Sequence, residues 1–175
     1  MKTYFGRLAL IAVILSVSVG CDQATKEAAD IHLSHVGAIS FWGDTFRLQY
    51  TENGGAFLGM GATLPEKARF WLLIVFSLIS VIGMLFFLLF HRSPRPLQVV
   101  GLTFIIGGGI GNLIDRIFRS GAVRDFMNVG LGDLRTGIFN VADVAIMLGT
   151  MMLIFMAAQR KTTSFGGRRR NRHVR

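Results

Sequence analysis

TGIFNVADVAIMLGTMMLIFMAAQ, residues 136–159, is a membrane-length apolar run whose only ionisable side chain is Asp143. At about 1.5 Å of rise per residue, seven residues from Thr136 put that carboxylate roughly 10 Å inside the segment. Burying an acid at depth costs about 2.5–3.5 kcal/mol on insertion scales, so Asp143 marks a functional site with a partner elsewhere in the chain. Asn140 stands three residues earlier, on the same face of the expected helix, which concentrates the polarity on one side. A structural acid paired with an arginine is the competing explanation, and the rest of the chain decides between the two.

Working outward, Phe70–Phe90 and Leu97–Ile114 are also free of charge and long enough to cross a bilayer core of about 20 residues. Leu8–Cys21 is shorter and spans only if it continues through Asp22 to Thr25. A hydrophobic fraction of 51% gathered into four runs excludes an ordinary soluble domain. The net charge of +9 is distributed unevenly. If both ends and the Phe90–Leu97 link share one side, that side holds eleven of the nineteen bases and none of the acids. Positive loops stay cytoplasmic, which predicts both termini inside and the two long connections outside. The tail GGRRRNRHVR is accounted for by this topology or by anionic lipid, so no nucleic-acid partner is expected. A single cysteine excludes an internal disulfide, and no His or Cys cluster has metal-site spacing.

The fold class that follows is a mainly α membrane protein with four transmembrane helices. A small extracytoplasmic β-sheet and a re-entrant or interfacial segment between helices 3 and 4 complete it. Spans of about 8–25, 70–90, 97–117 and 138–159, a β region at 31–66 and a connection at 118–137 make one unit, residues 1–161. A basic cytoplasmic tail, 162–175, is expected to be disordered. In the β region Phe46, Leu48 and Tyr50 alternate with Arg47, Gln49 and Thr51, and Ile39–Trp42 can supply a hairpin mate. Asn53-Gly54-Gly55 then lets the backbone turn or approach a ligand, and Pro65 signals the next helix.

Polar residues recur at the outer ends of the spans. Asp22 and Lys26 are i,i+4 at the end of the first. The third carries a glycine stripe, Gly101 to Gly111, whose Gly107 and Gly111 have the spacing of closely packed helices. It ends in Asn112, Asp115 and Arg116, which packing alone does not explain. Asp125 is flanked by Val123 and Phe126 and would reach Asp143 only if the connection folds back toward the membrane. Asp133, among glycines and Arg135, has the setting of a solvated turn.

Two carboxylates in one low-dielectric site cannot both ionise cheaply, so one keeps a proton while the other acts as base. That is what an aspartyl protease needs to activate water, and no serine or cysteine here has a histidine beside it as a rival. Spacing alone leaves Asp115 and Asp125 both open as the partner of Asp143. Two other classes compete. One is a small proton- or ion-coupled transporter subunit with Asp143 as the ion site. The other is an anchored lipoprotein, since MKTYFGRLALIAVILSVSVGCD has the basic start, apolar run and Gly20-Cys21 of a lipoprotein signal.

Taken together, GNLIDR (111–116), VRDF (123–126), FNVAD (139–143), DQATK (22–26) and NGGAF (53–57) resemble the lipoprotein signal peptidase, or signal peptidase II, family, in the family's order and over nearly the whole chain except the tail. The resemblance implies a bacterial inner-membrane aspartyl endopeptidase that cleaves prolipoproteins before a diacylglyceryl-modified cysteine. By position it implies Asp125 and Asp143 as the catalytic pair and Asn53, Gly55, Asn112, Arg116 and Asn140 around the substrate. Asp22 and Lys26 would give support, with Asp115 fixing Arg116 or nearby backbone. It further implies a monomer without metal or cofactor, partnered by diacylglyceryl-prolipoproteins and membrane lipids and inhibited by cyclic-peptide antibiotics. Two positions depart from the family's habit, Arg124 where an apolar residue is common and Phe57 where a second alanine is. Arg124 is expected to face the headgroups.

Overall fold

The computed structural model describes residues 4–55, 61 and 63–170, the last eleven of these by backbone alone. Phe57 and the end of the basic tail, 171–175, lie outside the described residues. Helix α1 is Tyr4–Leu33, followed by strands β1 (Ile39–Phe41) and β2 (Phe46–Asn53). Helix α2 (Glu66–Arg69) runs through a π-helical stretch, Phe70–Val75, into α3 (Phe76–Phe90). Then come α4 (Pro96–Phe118), β3 (Val123–Leu131), β4 (Leu134–Arg135) and α5 (Val141–Arg170). Among the described residues four helical segments are long and apolar enough to cross a membrane: Tyr4–Leu33, Glu66–Phe90, Pro96–Phe118 and Val141–Gln159.

The segments differ in what covers them. Along Phe70–Phe90 large apolar side chains such as Trp71, Phe76, Ile79 and Phe86 stay exposed, as a lipid-facing helix requires, while α4 is the most enclosed of the four. Glycine makes that enclosure possible. A Cβ on Gly108 would collide with the carbonyl oxygen of Ala142, and one on Gly149 with that of Gly101, so α4 and α5 touch backbone to backbone. Between α1 and α4 the same role falls to Gly107, whose added Cβ would lie 2.7 Å from Ser18 Cβ. At the far end of the bundle Arg7 donates to the carbonyls of His91 (2.8 Å) and Leu89 (3.2 Å) and so ties α1 to the end of α3.

Opposite that end lies a four-stranded antiparallel sheet in the order β1-β2-β3-β4. The expected hairpin is present, with Ile39 opposite Leu48 and Phe41 opposite Phe46. Three expectations are corrected. The connection at 118–137, expected as a loop, contains β3, which pairs with β2 (Thr51 opposite Asp125, Asn53 opposite Val123). The first helix does not end near residue 25; it continues to Leu33 because Asp22 and Lys26, at 0% exposure, are neutralised inside the protein. Finally, α5 begins at Val141, because Phe139 is held in extended form by backbone hydrogen bonds to Met127.

Candidate active site

Because α5 starts at Val141, Asp143 sits in its first helical turn and not a third of the way along a buried segment. Asn140 and Asp143 cap the helix reciprocally. The Asp143 backbone N–H donates to Asn140 Oδ1 (2.9 Å), and the Asn140 N–H lies 3.3 Å from Asp143 Oδ2. This arrangement satisfies two of the amides that a helix start leaves open, and it places an acid where the helix dipole favours negative charge. A second acid serves the same end from α1, as Asp22 Oδ1 accepts from the Ala142 N–H at 2.8 Å.

Asn140, fully buried, also joins the two acids. Its Nδ2 donates to Asp125 Oδ1 at 2.6 Å while its backbone N–H reaches Asp143. The other Asp125 oxygen accepts from Asn53 Nδ2 at 2.8 Å, and Asn53 Oδ1 in turn holds the Gly55 N–H at 2.8 Å. Asp143 Oδ1 accepts from Asn112 Nδ2 at 3.0 Å, and Asn112 Oδ1 takes a hydrogen bond from Lys26 Nζ at 2.9 Å. Lys26 completes its coordination on Asp22 (2.8 Å) and Asp115 (3.5 Å). Thus the structure gathers Asp22, Lys26, Asn53, Gly55, Asn112, Asp115, Arg116, Asp125, Asn140 and Asp143 at one end of the bundle. Of the partners left open for Asp143, Asp125 shares Asn140 with it, whereas Asp115 lies behind Lys26.

Asp125, 1% exposed, has its carboxyl pushed up to about 6. Burial is the main cause and the charge of Asp143 adds to it, while hydrogen bonds from Asn53 and Asn140 and the charge of Lys26 work the other way. Arg116 donates from Nη2 to the Gly55 carbonyl (2.9 Å), and Arg69, at the start of the second span, reaches the preceding carbonyl of Gly54 at 3.3 Å. Two arginines from different helices therefore grip consecutive carbonyls of the turn that follows Asn53. A cavity of about 210 Å³ lined by Leu73, Ser77, Gly109, Asn112, Arg116, Asp143 and Ile146 opens onto Asp143. On the other side of Arg116 a groove of about 490 Å³ runs past Arg69, Phe70, Ile74 and Ile117.

A further expectation is overturned. Arg124 does not face the headgroups: it is 5% exposed and its guanidinium binds Asp115, Glu27 and Gln23. Strand geometry is the reason, since neighbours in a strand point to opposite faces and Asp125 takes the face toward Asn140. Of the alternatives for Asp115, Arg116 or nearby backbone, the contacts made are to the Arg124 backbone N–H and, in addition, to the Arg124 side chain. Glu27 and Arg69 escaped the sequence reasoning. Glu27 lies next to Lys26 and could have been found by extending the DQATK helix one residue, but nothing in sequence ties Arg69 to Gly54.

The family model described as signal peptidase (SPase) II matches residues 13–159. The lipoprotein signal peptidase of Chlorobium phaeovibrioides is 38% identical over 151 residues, covering 81% of this chain and 85% of that protein. That of Symbiobacterium thermophilum is 32% identical, covering 89% and 100%. A bacterial membrane enzyme structure obtained by the in meso method superposes with a TM-score of 0.76 at 22% identity, covering 89% of this chain and 91% of that one, and so shares the fold. Matched over most of its length by the family model and by relatives above 30% identity, the chain belongs to the signal peptidase II family.

Proposed function

We propose that this chain is a membrane aspartyl endopeptidase that removes signal peptides from prolipoproteins, cutting on the N-terminal side of a diacylglyceryl-modified cysteine. The observation that carries this reading is the Asn140 bridge, which brings two buried carboxyls, one from β3 and one from α5, onto one residue, Asp125 on its side-chain amide and Asp143 on its backbone N–H. With a single proton between them, the ionised carboxylate takes a proton from water as it attacks the scissile carbonyl. The protonated carboxyl gives its proton to the carbonyl oxygen. Collapse of the tetrahedral diol breaks the C–N bond, and the leaving cysteine nitrogen collects a proton from the dyad. Products are a signal-peptide carboxylate and a lipidated N-terminal cysteine. Asn53, Gly55, Asn112 and Arg116 line the approach and position the peptide, and the apolar groove beyond Arg116 receives the lipid.

The same reading places both termini in the cytoplasm, the dyad near the outer face of a bacterial inner membrane and the sheet on the headgroups. Trp42, 81% exposed at the β1–β2 turn, supports that contact, as aromatic side chains collect at membrane interfaces. Residues 1–161 would act as one peptidase unit, functional as a monomer, with the basic tail outside it. Incubating the purified protein with a lipidated prolipoprotein and weighing the products tests the proposal. A cut one residue away from the modified cysteine, or none, overturns it.

Two results are expected from the same assay. Among the described residues no three His, Cys, Asp or Glu side chains are grouped to hold a metal ion, so activity should survive EDTA unchanged. The second concerns pH. Asp125 keeps its proton below about 6 and loses it above. As the singly protonated dyad disappears, kcat/KM should fall as pH rises through that region. Bound lipid and peptide exclude more water and favour the protonated form further, so the corresponding limb of kcat should lie at higher pH. Limbs in the reverse order would contradict the assignment of Asp125.

A further inference from the structure

Beneath the sheet, on the face of β3 turned away from the dyad, one guanidinium organises a buried charge cluster. Arg124 Nη2 donates to Asp115 Oδ1 at 2.9 Å and to Gln23 Oε1 at 3.1 Å, its Nη1 to Glu27 Oε2 at 2.9 Å, and its Nε to Asp115 Oδ2 at 3.3 Å. The backbone N–H of the same residue reaches Asp115 Oδ2 at 2.9 Å, and its carbonyl lies 3.4 Å from Asn140 Nδ2. Residue 124 is therefore tied to α4 on one side and to the dyad's bridging amide on the other, directly before Asp125.

We propose that Arg124 is a positioning residue: by neutralising Asp115 it leaves Lys26 to hold Asn112 against Asp143, and by anchoring its own N–H it fixes where Asp125 stands. The inference rests on the peptidase reading above. Its logic is a division of charge. Asp22 and Asp115 are both fully buried, and Lys26 touches each of them as well as Asn112. With Arg124 in place each buried carboxylate has its own cation. Without it one ammonium serves two anions, is drawn toward Asp115, and loosens its 2.9 Å bond to Asn112, the residue that donates to Asp143. Other charged groups facing Arg124 are Glu27 and Asp30 from α1, Glu52 opposite it in β2, and Arg119 at the end of α4, which is itself paired with Asp30 and Glu52. None of these reaches Asn112 in the structure.

The test compares wild type, R124L, R124K and R124L/D115N on a lipidated prolipoprotein across pH, with thermal unfolding in detergent as the folding control. R124L should lower kcat by about 10–100-fold, the scale of misplacing reacting groups by an ångström, with KM little changed. The unneutralised Asp115 charge should also move the alkaline limb of kcat/KM to higher pH. R124K, keeping the charge but not the forked contact, should fall between. In R124L/D115N the need for a second cation disappears, so kcat should recover and the limb return. If R124L does not fold, R124Q carries the same expectations. Wild-type rates and pH limbs in R124L, or a deeper loss on adding D115N, would sink the inference. An inactive wild type would instead sink the peptidase reading itself.

Discussion

Asp125→Asn and Asp143→Asn should each lower cleavage of a lipidated prolipoprotein by about 10³-fold or more while leaving a folded protein, because neither amide can exchange the proton on which acid–base chemistry depends. The two substitutions keep shape and most donors in place. The amide that replaces the Asp125 carboxyl would still accept one of its two hydrogen bonds, from Asn53 or Asn140, so unfolding temperatures in detergent should move by only a few degrees. Asp133→Asn is the control. That residue is exposed in the turn between β3 and β4, and its loss should leave the rate within about twofold. Product mass gives the readout, and full activity in either dyad variant would overturn the assignment.

Lys26→Met should have the largest effect on stability. The ammonium, 0% exposed, is shared by Asp22, Asp115 and Asn112 Oδ1. A methionine of similar length fills the volume but takes the shared ammonium from two buried carboxylates, leaving Asp22 with Gln23 and the Ala142 N–H and Asp115 with Gln23 and Arg124. Removing one partner of a buried pair costs about 3–5 kcal/mol, a large part of the whole stability of a domain. Loss of folded protein in detergent, or a drop of many degrees in its unfolding temperature, is the expected result. Lys26→Met combined with Asp22→Asn should recover part of it, since one uncompensated charge is then gone. A single variant as stable as wild type would show that the cluster does not hold the bundle together.

How much of this was legible in the sequence depends on which force writes the signal. Spans two to four announce themselves by hydropathy, and Asn112, Asp115, Arg116 and Asp143 stand out because polar side chains are costly against that background. Hydropathy does not mark helix ends, however. Ile138 and Phe139 belong to the same apolar run as Val141, yet the backbone of Phe139 pairs with Met127, and only that pairing makes Asp143 a first-turn residue. Strand β3 was hidden for a related reason. VRDFMN is buried on both faces, with Arg124 and Asp125 satisfied by opposite partners, so the apolar-polar alternation of a half-exposed strand never appears. The same double burial sends Arg124 inward when its charge alone predicts a surface site.

The glycine contacts of α4 bear on how this protein tolerates its surroundings. Gly101 against Gly149 and Gly108 against Ala142 set helix separation by main-chain contact, and at Gly111 an added Cβ would lie only 2.5 Å from the Asp22 side chain at Oδ2. Spacing fixed in this way does not relax as side chains change rotamer or as a bilayer thins, thickens or changes lateral pressure. The scaffold beneath the two acids is thus insulated from changes in the surrounding lipid. Sequence drift is correspondingly unequal: the outward face of Phe70–Phe90 can change freely among apolar residues, whereas one added methyl at the α4–α5 seam must move a whole helix.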